Sequence, residues 1–443
     1  MITLEYVASA WMNFNFLNSK DPELLKWASE NYTANLKYMM SKLENNIFEF
    51  SGLYNAFYEP EQYERILDCG LSDPSCGHKH VYADSGGLQM MKQNLNITEE
   101  IKKNIMQNQA KYADFAFIFD EIPSYNIDDT RVFVNEWVKP YGEKTGQNLN
   151  TLLKVIKNSE SHTKALPIVQ GRGRKQITEF TNAMLSQISK EDLKYIEAFA
   201  MGNAHGNGFG LLQSTSTFLS MKNIDNKFKK HIHLLGVTGF DRMIPILQLV
   251  KNGLFKHTEK ISFDSSYHAK TYAFGNLQKS VDWCINGMQD DKLGLKRNKM
   301  TEDFFKELDD FWKDAPTYNI DTFDDYFKYS SWDKDKINTP NRQLAERDVE
   351  AYKKNVNIIQ NYIFLNMYKY FEVLNKFMTD ELTMEQILHS KKTLKIFQPL
   401  QNVYTLDELY DWENYAASNY KVQNSTTINE SPFDINKVAN VLF

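Results

Sequence analysis

Four polar side chains in this sequence each stand at the end of a short apolar run that predicts a β-strand. Asp84 ends VYAD, Asp120 ends FAFIFD, Gln170 ends ALPIVQ and Asp264 ends ISFD. Carboxylates can act as nucleophiles or transfer protons, and an amide both donates and accepts hydrogen bonds. Side chains of these types at strand ends predict a pocket in which acids act on a polar ligand.

Asp264 is the strongest candidate for a nucleophile among these residues. Small hydroxyl residues follow it in ISFDSSYHAKTYAFG, so we expect its carboxylate to be accessible. A carboxylate in such a position can attack an anomeric carbon and form a covalent glycosyl intermediate. Lys270, further along the same segment, could meet a phosphate, although a lone lysine is usually only solvated.

The other strand ends carry groups that suit a flat ligand. In ADSGGLQMM, Asp84 and Ser85 precede two glycines, beside which a ligand can approach the backbone closely. PIVQGRGR places Arg172 and Arg174 in a loop, and the glycine-rich AFAMGNAHGNGFG offers backbone N–H donors. Each motif also has a purely structural interpretation, as a helix cap, a barrel salt bridge or a solvated basic turn.

The elements that must position these residues follow a regular alternation. From about residue 80 to 265, β-rich segments alternate with longer helical patterns, which is typical of a parallel sheet built from βα units. In a (β/α)8 TIM barrel the carboxyl ends of the strands converge on one face, where active sites are built. A strand, a helix at Pro22 to Leu43 and a second short strand in the first 60 residues are expected to supply the missing barrel elements.

Helical patterns replace this alternation after about residue 300. They cover Arg342 to Met378, Met384 to His389 and Leu406 to Ala417, and an aperiodic connector precedes them. We therefore expect an α/β barrel at residues 1–300 and a helical C-terminal region at residues 301–443.

The composition is that of a globular protein with free thiols. Apolar residues make up 42% of the chain, and its three cysteines are Cys69, Cys76 and Cys284, an odd number that fits a reducing compartment. No run approaches the roughly 18 apolar residues of a membrane span, so we expect a cytoplasmic protein without membrane contact. The net charge of −6 argues against wrapping nucleic acid with the whole surface but allows a local basic groove.

Taken in order, the motifs DSGG, FDE, VQG, a glycine-rich strand end, LLGV and FD resemble the successive barrel motifs of tRNA-guanine transglycosylases. The resemblance covers roughly residues 80–276. It implies that Asp264 attacks C1′ of a nucleotide, expels guanine and forms a covalent glycosyl-enzyme, which a 7-deazaguanine base then resolves. It also implies that Asp84 contacts the base and transfers a proton.

The resemblance extends to the residues that would hold the base and the nucleic acid. It implies that Asp120 and Gln170 bind the purine edge, with Ser85 beside Asp84 in the base site. Leu88 stands where the family usually has a stacking aromatic residue, so Leu88 and Leu235 are expected to sandwich the base instead. The remaining matches are the backbone-donor loop at Gly202 and Asn203, the basic residues Arg172 and Arg174, and Lys270, which falls where the family places an arginine that contacts the nucleic-acid backbone.

The C-terminal zinc site of that family is missing from this sequence. The site uses a Cys-x-Cys-x-x-Cys cluster and a later histidine, whereas this chain offers only Cys284 in that region. We therefore expect no cofactor and no metal. A second group of ligand types, Cys69, Cys76, His78 and His80 in CGLSDPSCGHKH, matches no zinc spacing, and free thiols with solvent-facing imidazoles are its default interpretation.

Without that zinc site, the helical C-terminus favours DNA over tRNA as the partner. The chain is most similar to the divergent DNA-modifying members of the family, the DpdA-type 7-deazaguanine DNA transglycosylases of phages and bacteria. These enzymes insert queuosine-related bases such as preQ0, and a phage enzyme of this kind would act in the host cytoplasm.

Two alternatives stay open. One is base exchange in tRNA, and the other is a non-catalytic barrel subunit that binds nucleic acid or a catalytic partner. The retained pair Asp84 and Asp264 argues against the second alternative, because a binding subunit has no chemical need for both acids. The sequence leaves a homodimer or an accessory protein open in each case.

Overall fold

The computed structural model describes residues 2–9, 22–43, 47–57, 78–87, 97–127, 130–202, 208–237, 239–265, 278–286, 302–318, 349–419 and 425–428. Within them the chain is a mixed α/β protein, in which helices surround a parallel sheet. The strands are β1 (Thr3–Ser9), β2 (Phe48–Asn55), β3 (Val81–Asp84), β4 (Phe115–Phe117), β5 (Ser124–Ile127), β6 (Thr130–Val134), β7 (Lys164–Leu166), β8 (Ile168–Val169), β9 (Phe199–Met201), β10 (His231–Leu234), β11 (Lys260–Asp264) and β12 (Ser425–Ile428).

Nine of these strands form one sheet in the order β7–β4–β3–β2–β1–β11–β10–β9–β8, with parallel pairing throughout. Only Pro167 separates the two edge strands, β7 and β8, along the chain. Pro167 has no N–H to donate, but its carbonyl accepts a hydrogen bond from the Ala200 N–H at 2.8 Å. Ala165 also forms a parallel bridge with Ile196. The sheet is therefore a nearly closed, barrel-like structure.

Helices follow most strands of this sheet. They are α1 (Pro22–Ser41), α2 (Glu99–Tyr112), α3 (Asn135–Asn158), α4 (Gly173–Leu185), α5 (Gly208–Ser220), α6 (Phe240–Lys251), α7 (Val281–Asn286), α8 (Glu302–Trp312), α9 (Val349–Met378), α10 (Met384–Ile387), α11 (Lys391–Phe397) and α12 (Leu406–Asn419). Nearly all of the buried apolar residues of the described helices and strands belong to one continuous cluster. This shell holds the strand ends in place around the interior of the barrel.

The interior of the barrel mixes aromatic and polar side chains. Because successive residues of a strand point to opposite faces, His231 and His233 of β10 lie on the same face. Their rings contact Phe115 and Phe117, with centroid distances of 5.6 and 4.8 Å. Both histidines are buried, which sets this interior apart from a purely aliphatic barrel core.

A second, three-stranded sheet lies apart from the barrel. Strands β5 and β6 pair in antiparallel fashion, and β12 pairs with β6 in parallel. A strand from near residue 425 thus joins the segment that follows Asp120 and Glu121. The sequence analysis predicted none of these three strands. Only β12 pairs over a long distance along the chain, with a partner strand almost 300 residues away.

Helix α9 packs directly against the outside of the barrel. The Phe371 ring contacts the rings of Tyr6, Phe48 and Phe50, with centroid distances of 5.4, 4.7 and 5.2 Å. A buried Asn31 amide of α1 also donates to Gln360 at 2.7 Å. The predicted division between residues 300 and 301 falls outside the described residues and stays a prediction.

The predicted α/β class is confirmed, and each of the six segments predicted between residues 81 and 264 contains a strand. Two of them differ in extent: ALPIVQ is divided at Pro167, and FAFIFD leaves the sheet after Phe117. Among the described residues no helix is long and apolar enough to cross a membrane. The cytoplasmic location stays a prediction.

Candidate active site

The predicted strand-end residues lie at the carboxyl ends of four strands of the same parallel sheet. Asp84 and Asp264 are the last residues of β3 and β11, while Asp120 and Gln170 follow β4 and β8. The Gln170 amide nitrogen donates to Asp120 Oδ2 at 2.5 Å. The charge of Asp264 raises the pKa of Asp84, and the charge of Asp84 raises that of Asp120. The three acids are thus electrostatically coupled, and Gln170 joins them through its hydrogen bond to Asp120.

Asp264 presents one of its two carboxylate oxygens to fixed donors. Oδ1 accepts a hydrogen bond from the Gly236 N–H at 2.9 Å and lies 3.1 Å from Nε2 of His233. The side chain is 18% exposed, whereas the His233 side chain beneath it is completely buried. The carboxylate is therefore anchored from below and from one side, and it reaches solvent at the strand-end face.

Asp84 is held beside this nucleophile candidate with a raised proton affinity. Burial raises the pKa of Asp84 to about 6, the charge of Asp264 adds to the increase, and hydrogen bonds from the Gly86 and Ser85 backbones oppose it. The Asn55 amide also donates to Asp84 Oδ2 at 3.3 Å. A carboxyl group that titrates near pH 6 can give and take a proton at neutral pH.

The backbone conformation at Gly86, two residues after Asp84, requires a glycine. Its φ angle is +77°, and a Cβ there would lie 2.5 Å from the Phe57 Cβ and 2.8 Å from the Asn55 side-chain oxygen. An L-residue would meet both backbone strain and a steric clash. The glycine is thus required by the packing of Phe57 and Asn55, and the predicted close approach of a ligand at the DSGG motif stays a prediction.

Asp120 and Gln170 form a second polar pair in the site. Burial raises the pKa of Asp120 to about 6, and the hydrogen bond from Gln170 opposes that increase. The side-chain oxygen of Gln170 is buried and has no hydrogen-bond partner among the described residues. Since a buried acceptor without a donor is costly, this oxygen is suited to receive an N–H group from a ligand.

Gly202 contributes space to the site. A Cβ at Gly202 would lie 2.3 Å from the amide carbon and oxygen of Gln170, so only glycine lets that amide lie where it does. The Gly202 N–H donates to the Val169 carbonyl at 2.9 Å. Its donor is therefore committed to the sheet, and the resemblance-based role of Gly202 as a backbone donor to the base is not the one seen here.

Only some of the remaining predicted site residues lie in the part of the chain that the structure describes. Ser85 is buried directly after Asp84, and Leu235 follows β10 with a partly buried side chain that packs against the core. The Leu235 N–H donates to the Met201 carbonyl at 3.2 Å. Three further predictions, Leu88, Asn203 and Lys270, lie outside the described residues.

Glu121 is a buried acid in the FDE motif for which the sequence analysis assigned no role. Its side chain is 4% exposed and lies 3.5 Å from the Lys144 ammonium group, while its N–H donates to the Thr145 hydroxyl at 2.9 Å. Its charge contributes to the raised pKa of Asp120. Glu121 is thus tied to α3 and influences the site through Asp120.

The two predicted phosphate-binding arginines are engaged within the protein. The Arg174 guanidinium donates through Nε to Glu413 of α12 at 2.7 Å and stacks over the Tyr410 ring at 3.2 Å. The Arg172 guanidinium lies 4.1 Å from the centre of the Phe133 ring. These contacts connect the VQGRGR loop to α12 and to the small sheet, and binding of nucleic acid by either arginine stays a prediction.

The alternative zinc cluster is only partly described. Cys69 and Cys76 lie outside the described residues, whereas His78 is buried and its Nε2 lies 2.9 Å from the Tyr32 hydroxyl. Burial lowers the pKa of His78 to about 4, so this imidazole is neutral. The prediction that it faces solvent was wrong. Within the part of the chain that the structure describes, no group of metal-ligating side chains comes together.

The structure also adds two site residues that the sequence analysis did not single out. His233 and Gly236 both contact Asp264, and both belong to HIHLLGV, whose LLGV part was used only for its resemblance. Two histidines at alternate positions of an otherwise apolar strand were the available signal. Such a pattern places both imidazoles on one face, where they need polar partners inside the barrel.

Together these groups provide three chemical functions. Asp264 offers an anchored carboxylate, Asp84 offers a carboxyl that can hold or release a proton near pH 6, and Asp120 with Gln170 offers acceptors and a donor for a polar heterocycle. This combination suits displacement at a carbon atom with proton transfer to or from the departing group.

No protein-family model matches this chain, and no curated protein matches it either.

Proposed function

We propose that this protein is a (β/α)8-barrel transglycosylase that replaces guanine in DNA with a 7-deazaguanine base such as preQ0. The observation that carries the proposal is the position of Asp84, Asp120, Gln170 and Asp264 at the carboxyl ends of strands of one parallel sheet, in the motif order of the resembled family. When β7 and β8 are counted as one strand interrupted at Pro167, the nine-stranded sheet becomes an eight-stranded barrel. That topology supports an active site at this face.

In the first step, a carboxylate oxygen of Asp264 attacks C1′ of the target nucleotide. A C1′–O bond forms, the C1′–N9 bond breaks, and the electron pair of that bond leaves with guanine. Protonated Asp84 donates a proton to the departing base, which becomes neutral guanine. The pKa of about 6 supports this role, because it keeps a useful fraction of Asp84 protonated near neutral pH.

In the second step, the incoming 7-deazaguanine attacks C1′ through its N9 atom. The new C1′–N9 bond forms as the ester bond to Asp264 breaks, and the N9 proton passes to Asp84. The cycle restores both acids and consumes no other reagent. Because each step is a displacement at C1′, the sugar retains its configuration after two inversions.

The base would be recognised by Asp120 and Gln170. A guanine edge presents N–H donors next to a carbonyl acceptor, and the pair offers carboxylate oxygens together with an amide that donates and accepts. The buried oxygen of Gln170 that lacks a partner among the described residues supports this assignment. Leu88 and Leu235 stay our candidates for the apolar faces above and below the base.

DNA is the proposed polymer because the C-terminal region departs from the tRNA-acting pattern. The thiol of Cys284, the single cysteine beyond the barrel motifs, is buried and its pKa is raised by burial to about 11. A single cysteine cannot supply the three thiolates of the family's zinc site. Extrusion of a nucleotide from duplex DNA costs about a few kcal/mol, which favours a locally opened substrate.

The test is incorporation of labelled base into polymer. Purified protein is incubated with radiolabelled preQ0 or guanine and, separately, with double-stranded DNA, single-stranded DNA and unmodified tRNA, and the label retained in each polymer is counted. Label in DNA alone is the expected result. Label in tRNA alone would replace the substrate assignment with tRNA, and label in none by a folded protein would favour the non-catalytic subunit.

A covalent adduct provides the second readout. Wild-type protein and Asp264→Asn are each incubated with an oligonucleotide and then separated on a denaturing gel. We expect a protein–oligonucleotide band from the wild type and none from Asp264→Asn, while the matched control Asp411→Asn, at an exposed acid of α12, retains the band. An adduct formed equally by Asp264→Asn would contradict the nucleophile assignment.

A further inference from the structure

A chain of buried polar side chains leads from Asp264 into the interior of the barrel. His233 lies 3.1 Å from Asp264 through Nε2 and 2.9 Å from the Ser262 hydroxyl through Nδ1. The same hydroxyl lies 2.7 Å from Nε2 of His231. Nε2 of His231 in turn lies 4.0 Å from a carboxylate oxygen of Glu5. Histidine, serine and histidine thus link two acids within the core.

The direction of each hydrogen bond in this chain follows from its ends. Asp264 Oδ1 also accepts the Gly236 N–H, so Nε2 of His233 is the natural donor to it. At the other end the nearby Glu5 carboxylate favours a proton on Nε2 of His231, which then donates to the Ser262 oxygen. A neutral His233 that carries its proton on Nε2 has an unprotonated Nδ1, which accepts the hydrogen of the Ser262 hydroxyl.

The surroundings also fix the plane of the His233 ring. The ring is completely buried and packs beside both Tyr82 and Phe117, with centroid distances of 5.8 and 4.8 Å. Burial and the positive charge of Lys260 lower the pKa of His231 well below its usual range, so the second imidazole of the chain is neutral. Neither ring can rotate without losing a buried hydrogen bond, which is costly.

We propose that His233 is the positioning residue of Asp264: as a neutral Nε2–H tautomer set by Ser262, it holds Oδ1 in place and leaves Oδ2 as the attacking oxygen. This inference rests on the proposed function, because it concerns the nucleophile of that reaction. His233 and the Gly236 N–H both engage Oδ1, at 3.1 and 2.9 Å. A carboxylate fixed through one oxygen presents the other in one orientation, and such preorganisation favours displacement.

Glu5, at the far end of this row of buried polar side chains, is also held by several contacts. The Glu5 carboxylate accepts from the Tyr82 hydroxyl at 2.9 Å and lies 3.3 Å from the Lys260 ammonium group, which also lies 2.9 Å from Glu49. Glu5 is fully buried, whereas Lys260 and Glu49 reach the surface at the opposite end of the barrel. The positioning chain is therefore anchored across the length of the barrel.

The tautomer is tested without any activity assay. A long-range ¹H–¹⁵N spectrum of protein labelled at histidine distinguishes a protonated nitrogen from an unprotonated one in each ring. We expect the His233 signals, identified by their loss in His233→Gln, to show protonated Nε2 and unprotonated Nδ1. Ser262→Ala should shift the Nδ1 resonance. Protonation of Nδ1, alone or together with Nε2, would overturn the proposal.

The consequence for catalysis is tested with two substitutions at the same position. His233→Leu removes the donor to Asp264, and we expect kcat to fall by about 100-fold while KM for the base changes by less than about threefold. His233→Gln retains a side-chain N–H and should recover at least about tenfold of that loss. The control His257→Gln, at an exposed histidine, should have wild-type kcat.

The two variants also separate positioning from a merely structural role. Equal kcat values for His233→Leu and wild type, or equal losses in His233→Leu and His233→Gln with both proteins folded, would overturn the proposal. If wild-type protein exchanges no base in DNA or tRNA, the proposed function fails. The histidine spectrum still decides the tautomer in that case, so the two failures are distinguishable.

Discussion

Glu5 in the interior of the barrel and the acids at the strand ends have opposite surroundings. Glu5 is completely buried in the interior, and its two oxygens are met by the Ser51 hydroxyl, the Tyr82 hydroxyl and the Lys260 ammonium group. Ser51 and Lys260 lie on β2 and β11, the two neighbours of β1, and Tyr82 lies on β3, one strand further along the sheet. Glu5 is thus a saturated acid, whose charge is balanced by the protein itself.

The acids at the strand ends lack that balance. Burial raises the pKa of Asp84 and of Asp120 to about 6, and each also feels a neighbouring acid rather than a cation. The side-chain oxygen of Gln170, whose amide lies against Gly202, is buried without a hydrogen-bond partner among the described residues. The comparison teaches that buried charge alone does not indicate function, whereas buried charge with unsatisfied neighbours indicates a place prepared for a ligand.

The largest effect should come from the nucleophile itself. Asp264→Ala is expected to lower base exchange by about 1,000-fold or more, because no other described carboxylate is held in its position. Its thermal unfolding midpoint should stay within a few degrees of the wild type, since Asp264 lies at a partly exposed strand end. Exchange assays and calorimetry check this pair of outcomes, and near-normal turnover would end the assignment.

The saturated acid should show the reverse profile. Glu5→Gln leaves Lys260 and the Ser51 and Tyr82 hydroxyls with a poorer acceptor, so we expect a loss of about 3 kcal/mol in the free energy of unfolding. Urea titration measures this loss. The folded fraction of the variant should keep chemical activity far above that of Asp264→Ala; a stable but inactive Glu5→Gln would erase the contrast between the two groups.

A smaller effect is expected where the base site needs space. Gly202→Ala places a Cβ 2.3 Å from the Gln170 amide, so that amide must move away from Asp120. We expect KM for the incoming base to rise by about 10- to 100-fold with a smaller change in kcat. The control Gly253→Ala, at a left-handed glycine with open space around it, should lower stability without changing KM.

The smallest expected effect is a gain of stability at high pH in the variant Asp120→Asn. The pKa of Asp120 is raised from 3.8 to about 6 in the folded protein, so its ionisation destabilises the fold progressively as pH rises through that window. The free energy of unfolding of Asp120→Asn at pH 8 should therefore exceed that of the wild type by about 1–2 kcal/mol, after allowance for the partial exposure of Asp120. The difference should vanish near pH 4.

Denaturant titrations at the two pH values measure the Asp120→Asn effect. Asp411→Asn, at an exposed position of α12, serves as the control and should show little difference at either pH. A loss of stability for Asp120→Asn at pH 8 would mean that Asp120 is a saturated acid like Glu5, which would remove the physical distinction between the two groups.

Much of the candidate site could be predicted from the sequence because it depends on local patterns. Asp84 and Asp264 end their strands as predicted, since an apolar run followed by a polar residue and a turn marks where a buried strand leaves the sheet. Asp120 and Gln170 were correctly predicted to follow strands of the same sheet. The strand before Asp120 is shorter than predicted, because β4 ends at Phe117. The βα alternation was sufficient to give the parallel arrangement.

What was missed depends on contacts between distant parts of the chain. The Arg174–Glu413 pair joins residues 239 positions apart, and β12 pairs with β6, almost 300 residues before it along the chain. Gly202 was assigned a donor role, but its N–H belongs to the sheet and its lack of a side chain is what matters. No local pattern carries that information.

The sequence by itself determined which side chains end the strands and which chemistry those side chains can perform. Only the tertiary structure decided what each acid meets. Glu5, Tyr82, His233 and Asp264 become neighbours because the register of β1, β3, β10 and β11 aligns them when the sheet closes. Hydrogen bonding and desolvation act over a few ångströms in space, so whether an acid is saturated or left ready for a ligand is settled by folding.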